Sequence, residues 1–381
     1  MKSSPCPYER PVAVVLLCII CVFVLTACLL ALTPPIARDV LIHHLAIPKL
    51  WINHGGFYET PWAAYSYYPM NLELLYLISL YFGSDIIPNF IHLGFGIGTA
   101  IIIYFYLKTG FNRTAGLLGF LIFISTPVTI KLSTMAYVDL GAVFFVTASI
   151  LSFIQWRDSK YDQSGWLLIS AVAMGLGLGS KYSVLVPWFF VTLSITFICS
   201  RDTEKSGKAI KYGLLFFLIS LSVFSPWLVK NTILTGNPFY PLFPGIFNSG
   251  MLSDGNTNSL ALVHAHASLF KTRGMMFGES LWEVLFIPVR IFFQGQDNSP
   301  RYFDGVLNPI LILFVPFAFM KKEMKVDKLF FLYFSIFIIL VALFLDQIRI
   351  RYILPAIPFL AILSVTGIVN IFVWFKERKS V

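Results

Sequence analysis

Long apolar runs alternate with short polar segments along the whole of this 381-residue chain. A helix of about 20 mainly apolar residues crosses a lipid bilayer, so the pattern predicts an all-α polytopic membrane protein with about ten transmembrane helices. The predicted crossings are Val12–Leu32, Ile86–Leu107, Leu117–Ile130, Leu140–Trp156, Trp166–Gly179, Val184–Ile198, Ile210–Val229, Val306–Met320, Leu329–Leu345 and Ile353–Trp374.

Two further apolar stretches, Met70–Phe82 and Leu281–Phe293, are shorter than a bilayer crossing requires. As helices they would extend only about 20 Å at ~1.5 Å per residue. The pattern therefore predicts short surface-lying helices within two large outer loops, residues 34–83 and 230–305. We expect one transmembrane domain over residues 1–381, with no soluble C-terminal domain.

Composition and charge agree with a membrane protein. The chain is 57% hydrophobic and 12% charged, against about 45–50% and about 25% in soluble domains. Lys and Arg occur in short clusters between apolar runs, and the positive-inside rule then predicts cytoplasmic termini with a retained signal anchor at the start. The net charge of +9 thus reflects topology, and no nucleic-acid partner is expected.

The segment from Arg38 to Glu73 concentrates acidic, basic and histidine residues beside the first apolar run. Acidic groups next to a membrane segment are costly and are commonly functional. Polar residues of the same outer face, each within a turn or two of a predicted boundary, are Asp39, Glu73, Asp139, Lys181, Lys230, Asn231, Arg349 and Arg351. Cations there could hold a lipid-borne phosphate while a carboxylate accepts a proton from an acceptor hydroxyl.

Each of these residues also has a structural interpretation. Asp39 and Glu73 could interact with helix dipoles, and Asp139 could cap the helix that follows it. The outer cations could anchor the chain by extending to the lipid headgroups. The aromatic residues of WAAYSYY favour an interfacial belt, with sugar stacking as the alternative.

A divalent metal is the open question among cofactors. Asp39 and His43 are four residues apart, so they would share one face of a helix and could both contact a metal ion. Ordinary polar contacts are the favoured interpretation of His43 and His44, and also of His264 and His266 in the second outer loop. No cofactor is required by the sequence.

Several motifs together resemble one known class of membrane enzymes. They are Ala37-Arg38-Asp39 after the first run, HHLAIPKLW, AYVDL, GLGLGSKYS, WLVKNTILTGNPFYP and RIRYILPAIPFLAIL. The chain resembles the GT-C class of integral-membrane glycosyltransferases, in the branch of the lipid A aminoarabinose transferases and protein O-mannosyltransferases (glycosyltransferase family 39-like). The resemblance extends over nearly the whole membrane region. Unlike that family, the chain has Val40 directly after Asp39 and so lacks its Asp-Glu pair.

The resemblance implies a polyprenyl-phosphate sugar donor and an inverting displacement at an extracytoplasmic site. It also implies that Asp39 and Asp139 are the catalytic acidic residues. We therefore expect a hexosyl- or pentosyl-type glycosyltransferase of the plasma (inner) membrane that acts on a lipid, glycan or protein acceptor and faces the periplasm or exterior. The alternative is a transporter or flippase of lipid-linked sugars, which would place charged residues near the middle of the membrane.

Overall fold

The computed structural model describes residues 9–243, 246–247, 269–321, 325–343 and 348–379. Within those ranges the regular structure is entirely helical. The α-helices are α1 Glu9–Ala31, α2 Ala46–His54, α3 Asn71–Tyr81, α4 Ile87–Gly110, α5 Arg113–Ile124, α6 Pro127–Ser133, α7 Asp139–Asp158, α8 Ser164–Leu178, α9 Leu185–Thr203, α10 Ser206–Thr235, α11 Leu269–Phe277, α12 Leu281–Leu285, α13 Ile287–Arg290, α14 Ile310–Leu313, α15 Lys325–Leu343 and α16 Ile357–Lys379.

Seven helical segments of the described chain are long and apolar enough to cross a membrane, or eight if α5 and α6 form one bent span. The count of ten expected from the sequence is therefore not reached. Each predicted crossing does coincide with helical structure, but two of the segments are short: α8 has 15 residues, and Ile310–Phe319 is a broken apolar segment. Pro316 lies in the second of these, where α14 gives way to a 3₁₀ turn.

The bend between α5 and α6 has a local cause. The axes of the two helices differ by 69°, and α6 begins at Pro127, directly after Thr126 in an extended conformation. Proline disfavours a helical conformation in the residue before it. A single apolar run in the sequence is thereby divided into two helices, and Lys131 lies on the second of them.

The predicted surface helix within the first outer loop is present as α3, but one of its faces is buried. Leu72, Glu73, Tyr76 and Ser79 are buried along one of its faces. The predicted helix at Leu281–Phe293 forms as two short pieces, α12 and α13. Apolar side chains of that region remain exposed, so its position at the membrane surface stays a prediction.

Helix α7 lies at the centre of the fold. Of its most apolar 18 residues, 78% are buried, against 17% for α1 at the periphery. At its C-terminal end Arg157 forms an ion pair with the buried Asp327 of α15. Its first residue is Asp139. The most deeply packed helix of the fold therefore begins with a buried carboxylate.

Candidate active site

A cavity of about 1070 Å³ lies where the first outer loop meets the ends of α6, α7 and α8 and the segment before α16. It brings together most of the site residues expected from the sequence, namely Asp39, Glu73, Asp139, Lys181, Arg349 and Arg351, with His43 and His44. The wall also contains Arg38, Lys131 and Asp304, which were not predicted as site residues. In total, five Lys or Arg side chains and four carboxyl groups line the cavity.

Asp39 is paired with a residue far along the chain. Nη1 of Arg351 donates a hydrogen bond of 2.6 Å to Asp39 Oδ2. Asp39 precedes a π-helical turn, and Arg351 lies in a 3₁₀ turn that leads into α16. Burial would raise the pKa of Asp39, but the hydrogen bond and charge of Arg351 outweigh it and lower the pKa below its ordinary value. Asp39 is therefore ionised at neutral pH.

Asp139 is paired with a different cation, Lys181. Lys181 Nζ donates a hydrogen bond of 2.6 Å to Asp139 Oδ1, and the Asp139 side chain is only 3% exposed. A buried carboxylate is stable when it is both paired and hydrogen-bonded. The cavity thus has two separate carboxylate–cation pairs, each joining distant parts of the sequence.

The glycine-rich segment before Lys181 is explained by a close contact. A Cβ atom at Gly179 would lie 2.1 Å from Asn71 Nδ2, so any larger residue would displace the Asn71 side chain. Asn71 N–H donates to Gly179 O at 2.8 Å, and Trp227 Nε1 donates to Asn71 Oδ1 at 2.8 Å. These contacts fix the end of α8 against α3 and so position Lys181.

His92 positions Asp139, the partner of Lys181, through hydrogen bonds to the neighbouring backbone. Sequence reasoning did not identify His92. Its Nε2 lies 2.9 Å from the backbone nitrogen of Leu140, and its Nδ1 lies 2.9 Å from Leu132 O. A backbone N–H can only donate and a carbonyl can only accept. Nδ1 must therefore carry the proton while Nε2 accepts, and the neutral imidazole connects α4, α6 and the first turn of α7 beside Asp139.

Glu73 and His44 form a pair that contains no Lys or Arg. Glu73 Oε1 lies 2.7 Å from His44 Nδ1, and both side chains are buried. Burial raises the pKa of Glu73 to about 8 and lowers the pKa of His44 to about 4. Because burial disfavours both charged forms, the pair is neutral near pH 7. The sequence placed Glu73 at the start of a surface-lying helix, and in the structure the buried face of α3 carries it.

His43 lies beside this pair and stacks on Tyr65, with ring centroids 4.4 Å apart and an interplanar angle of 16°. Among the residues that the structure describes, no three His, Cys, Asp or Glu side chains are placed to hold a metal ion. Asp39 and His43 share the cavity, yet Asp39 is paired with Arg351. His264 and His266 lie outside the described residues, and we derive no step through a metal.

The second outer loop supports the segment that carries Arg349 and Arg351. Glu279, with a fully buried side chain, is paired with both Arg273 and Arg290. Both guanidinium groups also lie over the ring of Phe303. Phe303 O accepts a hydrogen bond of 2.8 Å from the backbone N–H of Ile350. This cluster therefore holds the backbone between the two cavity arginines.

Two further cations of the cavity share an acidic partner. Arg349 Nη1 lies 3.8 Å from Asp304 Oδ2, and Lys131 Nζ lies 3.8 Å from Asp304 Oδ1. Lys131 also donates to Asp297 at 2.8 Å. These groups are 26–44% exposed, so a ligand could rearrange them more easily than the buried Asp139–Lys181 pair.

Lys230 and Asn231, also expected at the site, do not line the cavity. Lys230 Nζ donates to Ser66 O at 2.7 Å. Asn231 is fully buried and donates to Tyr67 O at 2.9 Å and to the Tyr182 hydroxyl at 3.0 Å. These hydrogen bonds connect α10 to the first outer loop.

Comparison with known proteins connects this geometry to one class. Residues 83–229 match the model of the family described as dolichyl-phosphate-mannose-protein mannosyltransferase. YkcB of Bacillus subtilis, inferred to be a mannosyltransferase, is 22% identical over 179 residues, which cover 45% of this chain and 24% of that protein. The chain thus spans about a quarter of the curated relative that it matches.

Solved structures are similar over nearly the whole chain. ArnT from Cupriavidus metallidurans bound to undecaprenyl phosphate has a TM-score of 0.58 at 16% identity, covering 93% of this chain and 60% of ArnT. The apo form of ArnT gives 0.58 at 14% identity, covering 93% and 59%. The oligosaccharyltransferase AglB from Archaeoglobus fulgidus, in complex with an inhibitory peptide and a dolichol-phosphate, gives 0.54 at 12% identity, covering 95% and 51%. The resemblance inferred from the sequence motifs is thereby confirmed at the level of the fold: this multi-pass membrane chain has the fold of the GT-C class of glycosyltransferases.

Proposed function

We propose that this chain is a glycosyltransferase that moves a sugar from a polyprenyl-phosphate-linked donor to a hydroxyl group of an acceptor at the extracytoplasmic face. The observation that carries the proposal is the cavity itself, in which Asp39 and Asp139 lie with Lys181, Arg349 and Arg351. The similarity to ArnT, solved with undecaprenyl phosphate bound, supports a lipid-linked donor. The acceptor class stays open between lipid, glycan and protein.

The charge of the cavity suits a phosphate leaving group. Five Lys or Arg side chains face four carboxyl groups, and one of those, Glu73, is neutral near pH 7 because burial raises its pKa to about 8. The cavity is therefore net positive. Transfer of the sugar adds negative charge to the departing phosphate, and cations held nearby in fixed positions stabilise that charge as it develops.

The bond changes follow from this arrangement. The oxygen of the acceptor hydroxyl forms a bond to the anomeric carbon of the sugar, on the side opposite the phosphate. The bond between that carbon and the phosphate oxygen breaks, and its electron pair stays with the phosphate. The acceptor proton passes to a carboxylate, which we assign to Asp39 because it lines the cavity, is 32% exposed and is ionised.

The Asp39–Arg351 pair gives the reaction an order. A carboxylate held by a guanidinium at 2.6 Å is a weak base, because the cation stabilises its ionised form. A donor phosphate that binds Arg351 competes for the same N–H groups. Asp39 then becomes a stronger base only when the donor is bound, so we propose that the donor binds before the acceptor.

The experiment is transfer in detergent, where transport has no meaning. Purified protein is supplied with undecaprenyl phosphate carrying labelled sugars, and lipid, glycan and protein fractions of native membranes serve as acceptors. Asp39→Asn should reduce transfer by roughly 10²- to 10⁴-fold, the usual effect of removing a base. Asp85→Asn, at an exposed position outside the cavity, is the matched control and should retain wild-type transfer.

The alternative function gives a different result. A transporter or flippase would transfer no label in detergent but would move lipid-linked sugar across reconstituted vesicles. Near-normal transfer by Asp39→Asn would instead remove Asp39 from the mechanism while leaving the enzyme class standing.

A further inference from the structure

Polar atoms without a partner mark one wall of the cavity. Among the described residues, three buried and unpaired polar atoms belong to side chains that line it: His43 Nδ1, Glu73 Oε2 and Arg351 Nε. A buried polar atom without a hydrogen bond is costly, and each instance in a folded protein calls for an explanation. Beside a cavity, a polar ligand that completes the hydrogen bonds is such an explanation.

Two of these atoms lie on a face whose side chains are held in fixed orientations. His44 Nδ1 is hydrogen-bonded to Glu73 Oε1 at 2.7 Å, and both residues are more than 90% buried. His43 is packed against the His44 ring, with centroids 4.0 Å apart, and stacks on Tyr65. A face that is ordered before binding loses little conformational entropy when a ligand arrives.

The chemistry of this face differs from that of the rest of the cavity. Each aspartate of the cavity has a Lys or Arg nitrogen within 4.0 Å. Among the described residues, the side chain at that distance from Glu73 is His44. A phosphate placed there would face a carboxyl group that, among the described residues, has no Lys or Arg nitrogen in ion-pair range. Sugar hydroxyls are uncharged and both donate and accept hydrogen bonds, so they suit imidazole and carboxyl groups lying beside aromatic rings.

The position of the face agrees with that ligand. His44 lines the same cavity as both ion pairs, Asp139–Lys181 and Asp39–Arg351, and interacts electrostatically with all four of these groups. In a displacement reaction the sugar ring lies between the phosphate that leaves and the base that activates the acceptor. Groups close to both pairs are placed to contact the ring.

Resting on the proposed function, we infer that His43, His44 and Glu73 form the subsite for the transferred sugar and bind its hydroxyl groups. Arg351 and the other cavity cations then hold the phosphate. The face formed by His43, His44 and Glu73 would also determine which sugar is accepted, because a polar group left unpaired by the wrong sugar penalises its binding.

The test compares undecaprenyl phosphate with three lipids that differ from it only in the attached sugar, namely undecaprenyl phosphate carrying mannose, glucose or arabinose. Binding to purified protein in detergent is measured for wild type, Glu73→Gln and His43→Gln. Two matched controls come from the same outer loop but lie outside the cavity. Glu59→Gln alters a carboxylate bonded to the Tyr67 hydroxyl at 2.7 Å, and His54→Gln alters an exposed histidine.

We expect Glu73→Gln and His43→Gln to weaken binding of the best sugar-carrying lipid by roughly 10- to 100-fold. Binding of the sugarless lipid should stay within about twofold, and the controls should leave both probes unchanged. Equal losses on both probes, or no loss on either, would overturn the subsite while the proposed function stands. If wild type binds neither the sugarless lipid nor any of the three sugar-carrying lipids, both proposals fail. His43→Gln keeps the test decisive should Glu73→Gln not fold, since His43 is only partly buried.

Discussion

Replacing His92 with leucine should destabilise the protein and displace Asp139. His92 is fully buried, and its two hydrogen bonds of 2.9 Å satisfy the backbone N–H of Leu140 and the carbonyl of Leu132. Leucine leaves both groups unpaired in the core, at about 1–3 kcal/mol each. We therefore expect a loss of about 2–6 kcal/mol, a large share of the ~5–15 kcal/mol that typically stabilises a fold.

The assay is unfolding in detergent, followed by tryptophan fluorescence, together with binding of undecaprenyl phosphate. His92→Gln is the informative partner of His92→Leu, because its amide oxygen can accept from Leu140 while its NH₂ group donates to Leu132. It should recover at least half of the lost stability. His54→Leu changes an exposed histidine and serves as the control. Wild-type stability and binding in His92→Leu, or no difference between the leucine and glutamine variants, would refute the role given to this residue.

Two other predictions concern the cavity wall. Burial raises the pKa of Glu73 from 4.5 to about 8, so the folded state holds a proton that the unfolded state has lost, and stability falls as pH rises between those values. The pKa of His44 is lowered from 6.5 to about 4, which makes stability rise with pH up to pH 6.5. The net loss of stability should therefore appear between pH 6.5 and 8. Unfolding temperatures measured across pH 6–9 should show this loss in the wild type and a smaller one in Glu73→Gln. Gly179→Ala should cost about 1–3 kcal/mol in a denaturant titration because its methyl group would overlap Asn71, whereas Gly165→Ala, with open space around it, should cost less than ~0.5 kcal/mol.

Much of the fold was predictable because apolar length and basic clusters reflect the membrane directly. Every predicted crossing coincides with a helical segment, including the short α8. The number of crossings was not predictable in the same way. A run such as Val306–Met320 has the composition of a span, but proline and local packing divide it, and apolar composition carries no information about a break of that kind.

The site was predictable in part for a similar reason. Asp39, Asp139 and Arg351 were identified because charges beside membrane segments are rare, and all three line one cavity. Their pairing was not foreseeable, since Asp39 and Arg351 are 312 residues apart. Nor could the sequence separate Asn231, whose amide group donates hydrogen bonds to Tyr67 and Tyr182, from the residues that do line the cavity.

The supporting residues left weaker signals. His92 is the single histidine of an apolar run, and such a histidine is usually a core residue with both ring nitrogens hydrogen-bonded. That holds for His92, whose partner Leu140 directly follows Asp139. His44 was interpreted as an ordinary polar contact because its partner, Glu73, lies 29 residues away on another helix. Both assignments depend on tertiary contacts, which a single sequence does not contain.

The most direct test of the central claim is mass spectrometry of the lipids that co-purify from native membranes. Wild type, Asp39→Asn and Arg351→Ala would be compared. The account predicts that a polyprenyl-phosphate sugar is enriched on Asp39→Asn, which binds the donor without consuming it, and is lost from Arg351→Ala, which lacks a phosphate ligand. Only bulk phospholipid on all three proteins, with no polyprenyl-phosphate species on any of them, would contradict it.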